Sequence, residues 1–183
     1  VGANAIDLTT NGSGNHFVGA LTFNNTGANN VSITNNTGLI LGASSAGSGT
    51  LTLNGVGISQ IGSLTQETSA GNVNINAGNG AINLANAANQ LTGTLFLSNT
   101  GTNDVTLNNT SVLLNIGNSS LCSGITHITT SGNLTLLASN TLNTQGDLSL
   151  TTNSADAVNA GYLRNKGDIY SHCSCIDLNA ANP

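Results

Sequence analysis

The chain has 183 residues, of which only two are basic and seven are acidic, so its formal net charge at pH 7 is −5. Charged residues make up 5% of the sequence, against about 25% in an average globular protein. Two basic residues are too few to bind a nucleic-acid backbone or an anionic membrane surface, and no apolar run is long enough for a membrane-spanning helix. We therefore expect neither a nucleic-acid partner nor membrane insertion.

Short apolar–polar–apolar units recur along the chain, with Thr, Ser or Asn usually at the centre. Because alternate residues of a strand face opposite sides, each unit predicts a short strand with two aliphatic side chains inward and one polar side chain outward. Gly and Asn between the units are expected at left-handed corners. The predicted strands are Ile6–Leu8, Leu21–Phe23, Val31–Ile33, Leu39–Leu41, Leu51–Leu53, Val73–Ile75, Ile82–Leu84, Leu95–Leu97, Val105–Leu107, Leu134–Leu136, Leu148–Leu150 and Ile176–Leu178.

An internal repeat separates the two architectures that this strand spacing allows, an antiparallel sandwich and a parallel solenoid. Residues 15–37 align without gaps on residues 89–111, with nine identities in 23 positions at an offset of 74. Sequence repeats are typical of stacked architectures, and 3% aromatic residues are few for a sandwich core. The sequence predicts an all-β fold, a parallel β-helix (β-solenoid) with short strands and about 8–10 rungs, three to four of them in each repeat.

The repeat also predicts how the chain is organised. Residues 1–152 are expected to form β-helix rungs, with repeat copies near 5–80 and 81–152, and residues 176–183 begin the pattern again. The second advance, from Ile82 to Ile176, is longer than the first, from Ile6 to Ile82. We therefore expect an inserted loop or an atypical rung at residues 153–175.

The segment 153–175 contains both basic residues and both tyrosines of the chain. Insertions in solenoids usually form loops on one face, and loops often bind partners. The candidates for an interaction surface are Tyr162, Arg164, Lys166, Tyr170 and His172. A loop or capping rung without a specific partner is the alternative.

Three cysteines, Cys122, Cys173 and Cys175, are disulfide candidates. In an exported chain, a bridge from Cys122 to either of the other two would attach the insertion to the rod and leave one cysteine for intermolecular pairing. Free thiols are one alternative, and a metal site of His172, Cys173 and Cys175 with Cys122 or His127 is another. The Cys-x-x-Cys spacing usual for zinc is missing, so we predict no metal and no cofactor.

The acidic residues are spread thinly along the chain, and no nucleophile, zinc-protease or phosphate-loop motif occurs. Polysaccharide-cleaving β-helices need clustered carboxylates. We therefore do not expect an enzyme.

Three segments resemble the repeats of filamentous-haemagglutinin-like exoproteins, large adhesins that Gram-negative bacteria export by two-partner secretion. These segments are Ala87–Gly93 (AANQLTG), Asn99–Leu107 (NTGTNDVTL) and Ile58–Thr65 (ISQIGSLT). The resemblance covers most of residues 5–150. It implies a right-handed parallel β-helix, a secreted or cell-surface location, a role in adhesion, aggregation or biofilm matrix, and a host or neighbouring-cell surface as partner. We expect a shaft segment of such an adhesin.

A self-polymerising filament subunit is the alternative, because Ile-Asp-Leu units occur near both ends of the chain. Ile6, Leu8, Ile176 and Leu178 are the candidates for end-to-end stacking, which would be a heterologous contact and would build an open fibre from copies of the chain. Excision from a longer repeat array explains the same units equally well.

Overall fold

The computed structural model describes residues 2, 4–9 and 14–152, together with the backbone of 158–159, 162–165 and 169–171. These residues form 21 short strands, and no helix occurs among them. No helix in the described part of the chain is therefore long and apolar enough to cross a membrane. In chain order the strands are β1 Ile6–Leu8, β2 Asn24–Asn25, β3 Val31–Thr34, β4 Leu39–Leu41, β5 Ser44–Ala46, β6 Leu51–Asn54, β7 Ile58–Gln60, β8 Leu64–Thr65, β9 Val73–Asn76, β10 Ile82–Leu84, β11 Leu95–Ser98, β12 Val105–Asn109, β13 Leu113–Ile116, β14 Ser119–Ser120, β15 Thr126–Thr130, β16 Asn133–Leu136, β17 Thr141–Thr144, β18 Leu148–Thr152, β19 Val158–Asn159, β20 Tyr162–Asn165 and β21 Ile169–Ser171.

The strands pair in parallel with strands of the next turn of the chain. Sheet 1 has eleven strands, sheet 2 has seven and sheet 3 has three. In sheet 1, Val31 lies beside Leu51, Leu51 beside Val73, and Val73 beside Leu95. Side chains that bond across this sheet are 20 to 22 positions apart in the sequence, which is the length of one turn. This pairing confirms the predicted all-β fold and the parallel β-solenoid.

The described residues make about six turns, and the longest path through sheet 1 crosses eight strands. The expectation of 8–10 rungs referred to the whole chain. At a strand spacing of about 4.8 Å, six turns correspond to a rod of roughly 30 Å.

The core is a set of aliphatic columns that run along the solenoid. Leu51 and Leu53 are fully buried, whereas Thr52 between them is half-buried and faces outward. The same alternation holds at the other predicted outward positions, Ser32, Asn74, Asn83, Thr106 and Thr135. Each fully buried Leu or Ile contributes about 1.5–3 kcal/mol relative to an exposed side chain, so the columns hold the turns together.

Ten of the twelve predicted strands lie where they were expected. The prediction of a strand at Leu21–Phe23 is wrong. Leu21 makes only an isolated bridge to Leu41, and the strand in this region, β2, begins at Asn24. The unit at Ile176–Leu178 lies outside the described residues. Several strands were not predicted because they are mainly polar, such as β5, β14 and β15.

In the part of the chain that the structure describes, left-handed backbone conformations occur at glycines, as expected, and at two serines, but not at asparagine. Among the described residues, the non-glycine residues with positive φ are Ser69 and Ser139. The prediction that asparagine would take this conformation is therefore wrong for this part of the chain. Asparagine stabilises the corners through side-chain hydrogen bonds instead.

Equivalent strands of the two repeat copies lie in different sheets. Strands β1, β3, β6 and β9 of the first copy stack in sheet 1, and their sequence counterparts β10, β12, β15 and β18 stack in sheet 2. The registers correspond: Ile6 lies beside Val31, and Ile82 beside Val105. Given the length of one turn, the offset between the copies is three full turns and roughly a third of another, in agreement with the three to four rungs predicted.

Strands also occur within residues 153–175. β19 pairs with β16, β20 with β17, and β21 with β18, all in parallel. These backbone segments continue the stacking of the preceding turn.

Candidate functional site

The repeated motif Asn-Thr-Gly-x-Asn forms a corner that is closed by two side-chain amides. In the first copy, Asn25 Nδ2 donates to Asn29 O at 3.0 Å, and Asn29 Nδ2 donates back to Thr26 O at 3.3 Å. Gly27 has φ of 71°, a left-handed conformation that glycine adopts without steric strain. The motif therefore builds its own turn from side-chain and backbone bonds.

The second copy repeats these bonds. Asn99 Nδ2 donates to Asn103 O at 2.9 Å, Asn103 Nδ2 donates to Thr100 O at 2.8 Å, and Gly101 has φ of 80°. One contact is new: Asn103 Nδ2 also donates to Asn79 Oδ1 of the preceding turn, at 3.1 Å.

A second type of asparagine binds the backbone of the preceding turn from inside the solenoid. Asn35 Oδ1 accepts from Phe17 N at 2.8 Å, and Asn35 Nδ2 donates to Phe17 O at 3.1 Å. Asn109 makes the same pair of bonds to Leu91, at 2.7 and 3.1 Å. Both asparagines are 3% exposed. Without them, the backbone groups of half-buried Phe17 and buried Leu91 would lose these hydrogen bonds, which would lower the stability of the fold.

These asparagines are the functional residues of the fold that sequence reasoning missed. Their signal was present, because Asn25/Asn99, Asn29/Asn103 and Asn35/Asn109 are all identities in the alignment of the two copies. The missing step was the direction of their side chains.

A shallow groove of about 300 Å³ lies on sheet 3 and crosses three successive turns. Its lining comes from residues 22–24, 43–45, 63 and 65, most of which are Ser, Thr or Asn. Ser44 is already used internally, because its Oγ accepts from Phe23 N and donates to Gly42 O. No ionisable side chain lines the groove, so its chemistry is limited to neutral hydrogen bonds and weak apolar contact.

Acidic groups in the described part of the chain act singly. Asp7 is fully exposed, and hydrogen bonds from the hydroxyl and the backbone N–H of Thr9 lower the pKa of its carboxyl. Glu67 Oε1 accepts from Gly27 N at 3.3 Å, across two turns. Within the described residues, no three His, Cys, Asp or Glu side chains lie close enough together to hold a metal ion.

Cys122 is the disulfide candidate that the structure describes. It is half-buried, and its N–H donates to Asn99 Oδ1 at 3.1 Å. Cys173 and Cys175 lie outside the described residues. Ser171 is the last described residue before them. Its backbone pairs with Leu150, which in turn pairs with Ile128, and Ile128 follows Cys122 by six positions. A disulfide to Cys122 stays a prediction.

The interaction-surface candidates lie partly in strands. Tyr162 and Arg164 belong to β20, and Tyr170 belongs to β21 beside Ser149. Only the backbone of these strands is described, and Lys166 and His172 lie outside the described residues.

The end-to-end stacking candidates are described only at the first turn. Ile6 and Leu8 are half-buried and pack against the core. Ile176 and Leu178 lie outside the described residues, so the pairing of the two ends stays a prediction.

A family of repeats of unknown function (DUF5649) matches residues 28–98. The match is to a repeat. It covers less than half of the chain and spans strands β3 to β11. No curated protein and no solved structure matches the chain. The sequence repeat and the solenoid together are consistent with a structural repeat role.

Proposed function

We propose that the chain is a shaft segment of a large extracellular adhesin that resembles the filamentous-haemagglutinin-like exoproteins. The observation that supports this most is the continuity of the core: buried apolar residues run from Phe23 to Leu150 through both repeat copies. A core without a break gives each turn the same neighbours above and below. Such a solenoid can be extended by adding repeats, which is what a shaft requires.

The surface supports the same proposal. Outward strand positions are mostly Ser, Thr and Asn, and the described groove on sheet 3 is neutral. A surface of this kind makes weak and distributed contacts, and it suits a shaft that is displayed outside a cell better than a site for one tight ligand.

Electron microscopy of the native polypeptide, combined with reducing and non-reducing gels, tests the proposal. The proposal predicts isolated rods and a band far larger than this chain's 18.2 kDa that reduction leaves intact. Ordered filaments that dissociate to a band of about that mass would overturn it in favour of the self-polymerising subunit.

Location is tested separately on intact cells. Protease added to unbroken cells should degrade the region that contains this chain, while a cytoplasmic marker protein stays intact. Protection of the region until the cells are lysed would contradict an extracellular shaft.

A further inference from the structure

We propose that Asn79 is a site of spontaneous deamidation that the folded structure promotes, and that the backbone nitrogen of Gly80 is the attacking group. The chain contains two described Asn-Gly pairs, Asn54–Gly55 and Asn79–Gly80. An Asn-Gly bond is the most reactive type because glycine offers no side chain to hinder the attack. The structure distinguishes the two pairs at three points.

The first point is the nucleophile. Gly55 N donates to Asn76 O at 3.0 Å in the stacked turn below it. Gly80 N has no hydrogen-bond partner among the described residues. A hydrogen-bonded amide must break its bond before it can lose its proton and attack, whereas the Gly80 amide has no such bond to break.

The second point is the carbonyl that is attacked. Asn79 Oδ1 accepts a hydrogen bond from Asn103 Nδ2 at 3.1 Å. A donor on this oxygen stabilises the negative charge that develops there during the attack. In Asn54 the amide nitrogen makes the hydrogen bond instead of the oxygen, because Nδ2 donates to Thr34 Oγ1 at 3.2 Å.

The third point is access. Asn79 is exposed at a corner, whereas Asn54 is half-buried at the end of β6. The attack produces a cyclic imide, which water must then hydrolyse, so the exposed pair is favoured at this later step as well.

The reaction needs only water. Gly80 N bonds to Asn79 Cγ, the Cγ–Nδ2 bond breaks, and the nitrogen leaves as ammonia with the proton that the Gly80 amide loses. The resulting cyclic imide is then hydrolysed at either carbonyl, which leaves aspartate or isoaspartate at position 79. Each event adds one negative charge to a chain that has few.

Packing explains why the reactive pair is present. A Cβ at position 80 would lie 2.5 Å from Gly57 Cα and closer still to Gly57 N. Backbone cannot move easily to make room, so the turn requires glycine after Asn79. The susceptibility is therefore a consequence of how closely the turns stack.

The test is peptide mapping by mass spectrometry after incubation of the intact protein at mildly alkaline pH. In the folded protein, modification at Asn79 should exceed that at Asn54 by about tenfold or more, because folding restrains only the Asn54–Gly55 pair. In urea, the two sites should react at similar rates. Similar rates in the folded protein, or faster reaction at Asn54, would overturn the proposal.

The donor is tested with Asn103→Ala and a matched control, Asn29→Ala. The two variants remove equivalent corner bonds, from Asn103 to Thr100 O and from Asn29 to Thr26 O, but only Asn103 contacts Asn79. Loss of one ordinary hydrogen bond should slow the reaction at Asn79 about fivefold in the Asn103 variant alone. An equal rate of deamidation at Asn79 in both variants would show that Asn103 does not act on the reacting carbonyl. As a further control, Asn79→Gln should abolish the modification at this position.

Discussion

The two copies of the repeat form the same local structure, but their equivalent strands and corners lie on different faces of the solenoid. Asn35 binds Phe17 in the first copy at 2.8 and 3.1 Å, and Asn109 binds Leu91 in the second at 2.7 and 3.1 Å. Yet the strand before Asn35 belongs to sheet 1, and the strand that ends at Asn109 belongs to sheet 2. The repeat thus encodes the turn and its caps, and not the position of the turn around the axis.

This difference follows from the length of the repeat. Since the repeat exceeds three full turns by roughly a third of a turn, every further copy of the same length would rotate its surface features by about the same angle. After three such copies a feature would return to its original face. An array built this way would present one surface motif around the whole circumference of a rod.

The largest expected difference between the copies is at Leu21 and Leu95, which are identical in the alignment. Leu95 is fully buried in β11 and lies between Val73 and Ile116, whereas Leu21 is half-buried and makes one bridge. Leu95→Ala should lower the free energy of unfolding by about 3 kcal/mol and Leu21→Ala by about 1 kcal/mol. Urea denaturation measures both, and equal losses would mean that burial does not distinguish the copies.

A difference of similar size is expected at Gly19 and Gly93, although the loss of stability at Gly93 is smaller than that at Leu95. A Cβ at Gly93 would overlap the backbone oxygen of Gly71, whereas a Cβ at Gly19 would meet nothing within 4 Å. Gly93→Ala should destabilise the fold by about 2 kcal/mol, because two backbone segments must separate. Gly19→Ala should leave the urea midpoint unchanged or raise it slightly. Destabilisation by both would show that the first copy is packed as closely as the second.

Next in size is the pair Asn25 and Asn99. Asn99 Oδ1 accepts from Cys122 N, but Asn25 Oδ1 is buried without a hydrogen-bond partner among the described residues. Asn99→Ala would leave two backbone groups unpaired and should reduce stability by about 2 kcal/mol, against about 1 kcal/mol for Asn25→Ala. Hydrogen exchange of the Cys122 amide provides a local check, since its protection should fall only in the Asn99 variant.

The alternation of apolar and polar residues was enough to predict the fold, because units such as Val31–Ile33 and Leu51–Leu53 bury every second side chain. It failed for β5, β14 and β15, where Ser and Thr occupy inward positions and the neighbouring turns determine the strand. The alignment identified Asn35 and Asn109 as equivalent, but not as caps. Which backbone groups they bind depends on the stacking of residues 18 positions apart.

The smallest effect concerns the charge at the first strand of each copy. Asp7 and Thr9 of the first copy correspond to Asn83 and Ala85 of the second, so only the first strand titrates. The pKa of Asp7 is lowered in the folded protein by its bonds to Thr9. Its ionised form therefore favours the folded state above the ordinary aspartate pKa, and this contribution is lost as the pH falls through the lowered value.

Thr9→Ala removes the hydroxyl donor and keeps the backbone N–H, so it should raise the pKa of Asp7 part of the way toward its ordinary range, which an NMR titration of the carboxyl measures directly. The second copy supplies the converse experiment. If the strand geometry is the same in both copies, Asn83→Asp combined with Ala85→Thr should show a lower pKa than Asn83→Asp alone, because only the double variant adds the hydroxyl donor. An ordinary pKa in the double variant would mean that the equivalence of the copies ends at their corners and does not extend to the outer face of their first strands.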